Sequence, residues 1–409
     1  MGLILGTAVF AYFVTIVERS SMGVASLAAT QRFAIGATAL STLAVAQLAI
    51  YAAMQIPAGL ILDRLGARKL IIFGSLLTGV GNLVVATTPT FSLAIVGRMI
   101  VGFGDSFIFI SMIRLINGWV QGPRATRYTQ LFANIGQLGQ IASAVPFAYL
   151  IGVAGWSPAF AAISALALIA ATCSTLFLKD EPRNEGLPLK SLRLVTQFKE
   201  NLRDPFTRKA FWVHFTMQSS GSVFILLWGY PFMVQGEGIT KATASLLLSS
   251  FVIIGFLVGP LLSHVCVAYP ERRNRLVTVM YALILAAWLL VLLTPGQNPL
   301  WQIILLVLII GSGGPASMVA FDYSRTSIPK HRLGSSNGVI NSGGFVATFV
   351  CMFLIGAVLD IVKANQMVAS AELYSLDAFK LAMPVQLVVL SIGLAMFYRE
   401  RRKTQTLAE

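Results

Sequence analysis

Twelve stretches of this chain are apolar for about as long as a bilayer is thick, and that repetition leaves few folds open. A helix needs roughly 20 apolar residues to cross the hydrocarbon core, because each residue advances it by only about 1.5 Å. In lipid the backbone N–H and C=O groups must bond one another, so such stretches are spanning helices. They run over residues 3–27, 43–62, 70–86, 91–112, 131–153, 158–178, 211–233, 244–267, 277–293, 300–321, 338–359 and 378–397. Six precede the longest polar stretch, 179–209, and six follow it. The expected organisation is an N-terminal bundle over 1–178, a linker over 179–209, a C-terminal bundle over 210–397 and a tail over 398–409.

Charge supports this reading and orients it. Only 11% of the residues are charged, against about 25% in a soluble domain. The net charge of +14 would suggest a nucleic-acid partner if it were spread over a surface. Instead, 24 of the 30 Lys and Arg lie in the loops after even-numbered stretches and in the tail. Four (Arg32, Lys241, Lys363 and Lys380) follow odd-numbered ones, and Arg19 and Arg98 fall inside spans. The positive-inside rule then puts both termini and the linker in the cytoplasm, in a cell (inner) membrane. No basic residue precedes the first apolar run, which argues against a cleaved signal peptide. Within the linker, Leu192, Val195, Phe198 and Leu202 share one helical face, so 191–202 is expected to lie as an amphipathic helix on the membrane surface.

Chemical signatures are few. Cys173, Cys266 and Cys351 all sit in apolar runs and form no CxxC pair. There is no Walker A loop, no His-Glu-x-x-His and no Cys/His cluster, so neither an enzyme nor a metal or cofactor is expected.

Two motifs go further. Between the second and third spans stands Gly59-Leu-Ile-Leu-Asp63-Arg64-Leu-Gly66-Ala-Arg68-Lys69. Gly59 would let helices approach, Asp63 would sit at the positive end of another helix, and Gly66 would make the turn. Arg64, Arg68 and Lys69 would hold the loop at the cytoplasmic side. The fourth span reads Gly97-Arg98-Met-Ile-Val-Gly102-Phe-Gly104-Asp105. Both resemble signatures of the major facilitator superfamily of secondary transporters. The resemblance implies an all-α membrane protein whose twelve transmembrane helices form two pseudo-symmetric six-helix bundles, with a solute site between them and alternating access as the mechanism. It is weaker in the second half, where the loop after the eighth span has Gly259, Arg272, Arg273 and Arg275 but not the acid and glycine. The fifth span, Asn134 to Pro146, lacks the glycine–proline pair of the family's antiporters, which argues against drug–proton exchange.

Candidate site residues follow from charge inside lipid, which is costly and by default functional. Asp105 lies seven residues beyond Arg98, on the same helical face, as an ion-pair partner or as part of a charged cavity wall. In the first span Tyr12, Thr15, Arg19 and Ser26 share a narrow arc, while Glu18 points about 100° away. Arg19 and Arg98 fall at similar depth. If both face one cavity, two guanidinium groups suit a carboxylate or phosphate. If Glu18 or Asp105 neutralises Arg19, the site is polar but neutral. In the seventh span His214, Gln218, Gly221, Ile225 and Trp228 form a stripe that suits cavity lining or helix packing. The tenth holds Gly311, Gly313, Gly314 and Pro315, a predicted bend, and ends near Asp322, a candidate for an inner gate or a loop salt bridge.

The expected function is transport of a small solute, an organic anion, by a monomer in the bilayer. Arg19, Arg98, Tyr12, Thr15, His214, Gln218 and Trp228 would bind it, and Asp105 or Glu18 would couple a proton in symport. Efflux of lipophilic or cationic compounds is the alternative, with the acids binding substrate and the arginines structural. A non-transporting membrane enzyme or sensor would require a catalytic cluster at one face or an appended soluble domain.

Overall fold

The computed structural model describes residues 1–120, 123–180, 199–329, 332–368 and 372–406, except the side chains at 56, 60, 63, 123, 126 and 267. Among them all regular structure is helical, and twelve long helices follow in order. In the first half these are α1 (Gly2–Phe33), α2 (Ala37–Leu65), α3 (Ala67–Thr87), α4 (Phe91–Trp119), α5 (residues 123–154) and α6 (Trp156–Phe177). In the second half they are α7 (residues 205–236), α8 (Lys241–Ala268), α9 (Arg273–Leu293), α10 (Leu300–Ser327), α11 (Leu333–Ala364) and α12 (Leu376–Thr406).

Eleven of these are long and apolar enough to cross a membrane by composition alone. The twelfth, α7, is helical throughout but carries Arg208, Lys209, His214, Gln218 and a run of serines. Its packing explains why that polarity is tolerated: α7 is enclosed by α10, α11 and α12 and meets protein where other helices meet lipid. By contrast, α8 presents Leu246, Leu257 and Leu261 outward, with Leu257 68% exposed. So large an apolar face needs a hydrocarbon solvent.

The chain divides into two compact units, one of residues 1–35 and 39–188 and one of 36–38 and 189–409. Each is built around its first long helix. In the first, α1 packs on α4, α5 and α6, and α3 on α4 and α6; in the second, α7 packs on α10, α11 and α12. Three helices are broken where the sequence dictates. A π turn at Ser143–Phe147 surrounds Pro146 in α5, two π turns (Phe224–Trp228 and Phe232–Gly236) interrupt α7, and α10 breaks at Ser312 and Met318 around the Gly313-Gly314-Pro315 stretch.

The basic loop between α2 and α3 is tied down by a residue the motif does not contain. Gly66 has φ +81°, a left-handed conformation that lets α3 start one residue after α2 ends. Asp180, just beyond α6, accepts a hydrogen bond from the Arg68 backbone N–H at 2.9 Å, at the positive end of α3. The Arg68 side chain donates to the Thr175 carbonyl, also at 2.9 Å. Arg64 is exposed, and the Asp63 side chain lies outside the described residues. Among the described residues, a Cβ at Gly59 would meet nothing within 4 Å. Residues 181–198, most of the expected surface helix, also lie outside the described residues; 199–203 are helical.

Candidate functional site

Charged side chains inside the first unit gather where α1 crosses α4. Arg19 on α1 grips Asp105 on α4 with two parallel bonds, Nε to Oδ2 at 2.8 Å and Nη2 to Oδ1 at 2.6 Å. This fork geometry is the strongest side-chain pairing available to a carboxylate. The guanidinium also lies 4.3 Å above the Tyr51 ring of α2, a cation–π contact. Asp105 is 1% exposed, whereas the Arg19 side chain keeps 14%. The pair is therefore reached from the arginine side.

Depth is set by one close approach. A Cβ at Gly102 would stand 2.2 Å from the Gln47 carbonyl oxygen, so only glycine lets α4 lie against the backbone of α2 here. That contact, three residues before Asp105, brings the carboxylate and the Tyr51 ring to the same guanidinium.

The second pair of charges is arranged differently. Glu18 is fully buried; its Oε1 accepts from Asn82 Nδ2 of α3 at 2.8 Å, and its Oε2 has no hydrogen-bond partner. Arg98, 1% exposed, points its Nη1 to the Glu18 backbone carbonyl at 3.4 Å and to Ser21 Oγ at 3.5 Å, and its Nε has no hydrogen-bond partner. Both bonds lie beyond the usual range of 2.7–3.2 Å. Asp105 thus pairs across to α1, although Arg98 shares its helix face. Arg19 alone of the two arginines is open at the site.

Tyr12 and Thr15 complete the α1 stripe. The Tyr12 hydroxyl accepts from Gln137 Nε2 of α5 at 3.1 Å, Gln137 is itself bonded by Gln140, and the Tyr12 ring lies 4.9 Å from that of Phe109. Thr15 spends its hydroxyl on the Ala11 carbonyl of its own helix.

In the second unit the stripe along the middle of α7 is polar without being charged; the buried Lys209, Arg273, Glu237 and Glu400 lie away from it, towards helix ends. His214 Nδ1 accepts from the Gly344 backbone N–H of α11 at 3.2 Å. Gln218 donates to Ser222 at 3.0 Å and accepts from Ser317 of α10 at 3.1 Å, and it is the one member of the His214–Trp228 stripe named as a candidate that is not buried. Trp228 is enclosed and donates from Nε1 to the Met352 carbonyl at 3.0 Å. Ser220, Gln386 and Trp288 form a further buried chain. At the end of α10, Asp322 is 3.5 Å from Arg325, one turn along the same helix.

Tyr51, Asn82, Gln137 and Asp180 were not singled out by the sequence. Tyr51 and Asn82 lie inside apolar runs, Gln137 is one of three amides in its span, and Asp180 is one charge among several in Lys179-Asp180-Glu181, so the sequence gives none of them a partner.

Known proteins place this arrangement in context. The family model described as Major Facilitator Superfamily matches residues 8–352. A probable sulfoacetate transporter of Cupriavidus necator is 29% identical over 185 residues, 44% of this chain and 42% of that protein. The chain thus spans about two fifths of that relative's length in the match. A probable galactarate/D-glucarate transporter of Escherichia coli is 21% identical over 384 residues, covering 83% of this chain and 84% of that protein. A solved structure of a bacterial homolog of the human lysosomal transporter Spinster, inward-facing and unoccupied, superposes with a TM-score of 0.75 at 14% identity, covering 98% of this chain and 96% of that one.

Proposed function

Since this chain belongs to the major facilitator superfamily, we propose that it carries small organic anions across the membrane together with protons. Arg19 takes the anionic end of the solute, and Asp105 takes the proton. The observation that carries this reading is the two-bond Arg19–Asp105 pair, with its carboxylate buried and its guanidinium partly open. A solute carboxylate or sulfonate offers Arg19 the same fork of acceptors that Asp105 offers. If it takes Asp105's place, Asp105 is left as an unpaired charge in a dry interior, which costs roughly 3–5 kcal/mol. A proton on Asp105 removes that cost. Anion and proton therefore bind with positive coupling, each raising the affinity for the other.

The other residues have supporting parts. Tyr51 gives the guanidinium an aromatic face, Tyr12 continues the polar stripe two turns along the same face of α1, Arg98 offsets the buried Glu18 carboxyl, and Glu18 is the second candidate for a proton. The names of the similar proteins, a sulfoacetate and a galactarate/D-glucarate transporter, support the substrate class. The distribution of Lys and Arg supports cytoplasmic termini.

Uptake of radiolabelled sulfoacetate and D-glucarate into proteoliposomes, with and without an inward proton gradient, tests the reading. Gradient-driven accumulation of at least one anion by the wild type, lost in Arg19→Gln, is expected. Wild-type accumulation in Arg19→Gln would overturn the assignment.

A further inference from the structure

At one end of the second unit, three cations without an acidic partner stand where the ends of α7, α9, α10 and α12 meet. Lys209, in the first turns of α7, is 8% exposed, and its ammonium lies 4.0 Å from the centre of the Tyr323 ring on α10. Arg273, the first residue of α9, is also 8% exposed; it donates to the Cys266 carbonyl at 3.0 Å and reaches Thr326 Oγ1 at 3.4 Å. Arg401, in the last turns of α12, has a buried Nε without a hydrogen-bond partner, and its guanidinium lies 5.8 Å from the Tyr398 ring. Arg208, next to Lys209, bonds Glu400, next to Arg401, at 3.1 Å, and the Thr278 and Tyr398 hydroxyls meet at 2.5 Å, so the first turns of α7 and of α9 both lie against the end of α12.

Among the described residues none of the three has a carboxylate within 4 Å. The nearby acids are engaged elsewhere: Asp322 with Arg325, and Glu400 with Arg208 and Lys403. The Tyr323 hydroxyl donates to Asn274 at 2.6 Å and offers the cations no negative charge. The positive N-terminal ends of α7 and α9 add to the same field. Like charges held together out of water repel, and each pays for desolvation with no Coulombic return. A bound anion removes both penalties.

We propose that Lys209, Arg273 and Arg401 form a binding site for a phosphate group, supplied by an anionic phospholipid or by free phosphate. The cluster lies at the ends of α7, α9, α10 and α12, where helices of a membrane protein meet headgroups. Arg401, partly exposed beside the exposed Arg402, forms its open side. Two guanidinium groups and an ammonium give donors for three phosphate oxygens. This site is independent of the Arg19–Asp105 pair.

The test is thermal unfolding of the full-length protein in phosphatidylcholine nanodiscs. One arm adds inorganic phosphate at constant ionic strength; the other replaces part of the lipid with phosphatidylglycerol. A rise in Tm of a few degrees is expected in at least one arm, and the responding arm identifies the source. The rise should disappear in Lys209→Gln and Arg401→Gln and persist in Lys209→Arg and in the neighbouring Arg402→Gln. If Lys209→Gln does not fold, Arg401→Gln, at a helix end, carries the comparison. No rise in either arm, or a rise undiminished in Arg401→Gln, would overturn the site.

Discussion

The two units solve the same packing problem with different chemistry. Each encloses its first long helix, α1 or α7, within three others of its own unit, and each places polar side chains on that central helix. In the first unit these are ions: Glu18 and Arg19 on α1, with Arg98 and Asp105 on α4. In the second the middle of α7 carries neutral groups, His214, Gln218 and Ser220, bonded to Gly344, Ser317 and Gln386, and its charged residues Arg208 and Lys209 stand in its first turns. A neutral hydrogen bond is worth about 0.5–1.5 kcal/mol net, whereas one involving a charged group is worth roughly 1.5–3. A buried charge also responds to any change in its partner, because losing that partner is so costly. On the proposed function, the ions where α1 crosses α4 sense an anion and a proton, while the polar stripe in the middle of α7 holds shape and contributes neutral donors.

Substitutions can break or sharpen that contrast. The largest effect is expected from Arg19→Gln. Losing two charge-assisted bonds to the solute should cut anion uptake about 100-fold or more, measured as initial rates in proteoliposomes. An effect of tenfold or less would remove the first unit's special standing. Next comes Asp105→Asn, which keeps the shape and removes the titrating group. It should abolish accumulation driven by an inward proton gradient, a loss of about tenfold for one pH unit, while anion exchange at equal pH continues. In the second unit, Gln218→Ala removes a neutral donor and acceptor, so uptake should fall only about fivefold, and the response to the proton gradient should be unchanged. Smallest is Trp228→Phe, which deletes the bond to the Met352 carbonyl. It should lower stability by about 1 kcal/mol, read as a small fall in Tm, with uptake within twofold of wild type. A large transport defect in Trp228→Phe would mean that the α7 stripe lines the solute path.

Much of the fold is legible in the chain because hydrophobic length is a property of single segments. The apolar stretches 3–27 and 91–112 mark α1 and α4, although the helices run on to Phe33 and Trp119, past the apolar part. Helix α7 shows the limit of composition, since its polarity makes sense only after α10, α11 and α12 are seen around it. The site is less legible because pairing depends on which helices touch. A spacing of seven places Arg98 and Asp105 on one face, yet Asp105 turns to Arg19 and Arg98 to the Glu18 carbonyl. Gly102 sets that geometry through its approach to Gln47, and nothing in either local sequence announces the contact. Asp180 follows the same rule: it lies far along the chain from the loop it secures.

Proton uptake on solute binding tests the exchange of partners at Arg19 most directly. Purified protein in weakly buffered solution with a pH-sensitive dye would be mixed with saturating sulfoacetate or D-glucarate. The wild type should take up about one proton for each anion bound, and Asp105→Asn should bind the anion and take up none. Anion binding by the wild type without proton uptake, or equal uptake in Asp105→Asn, would contradict the account.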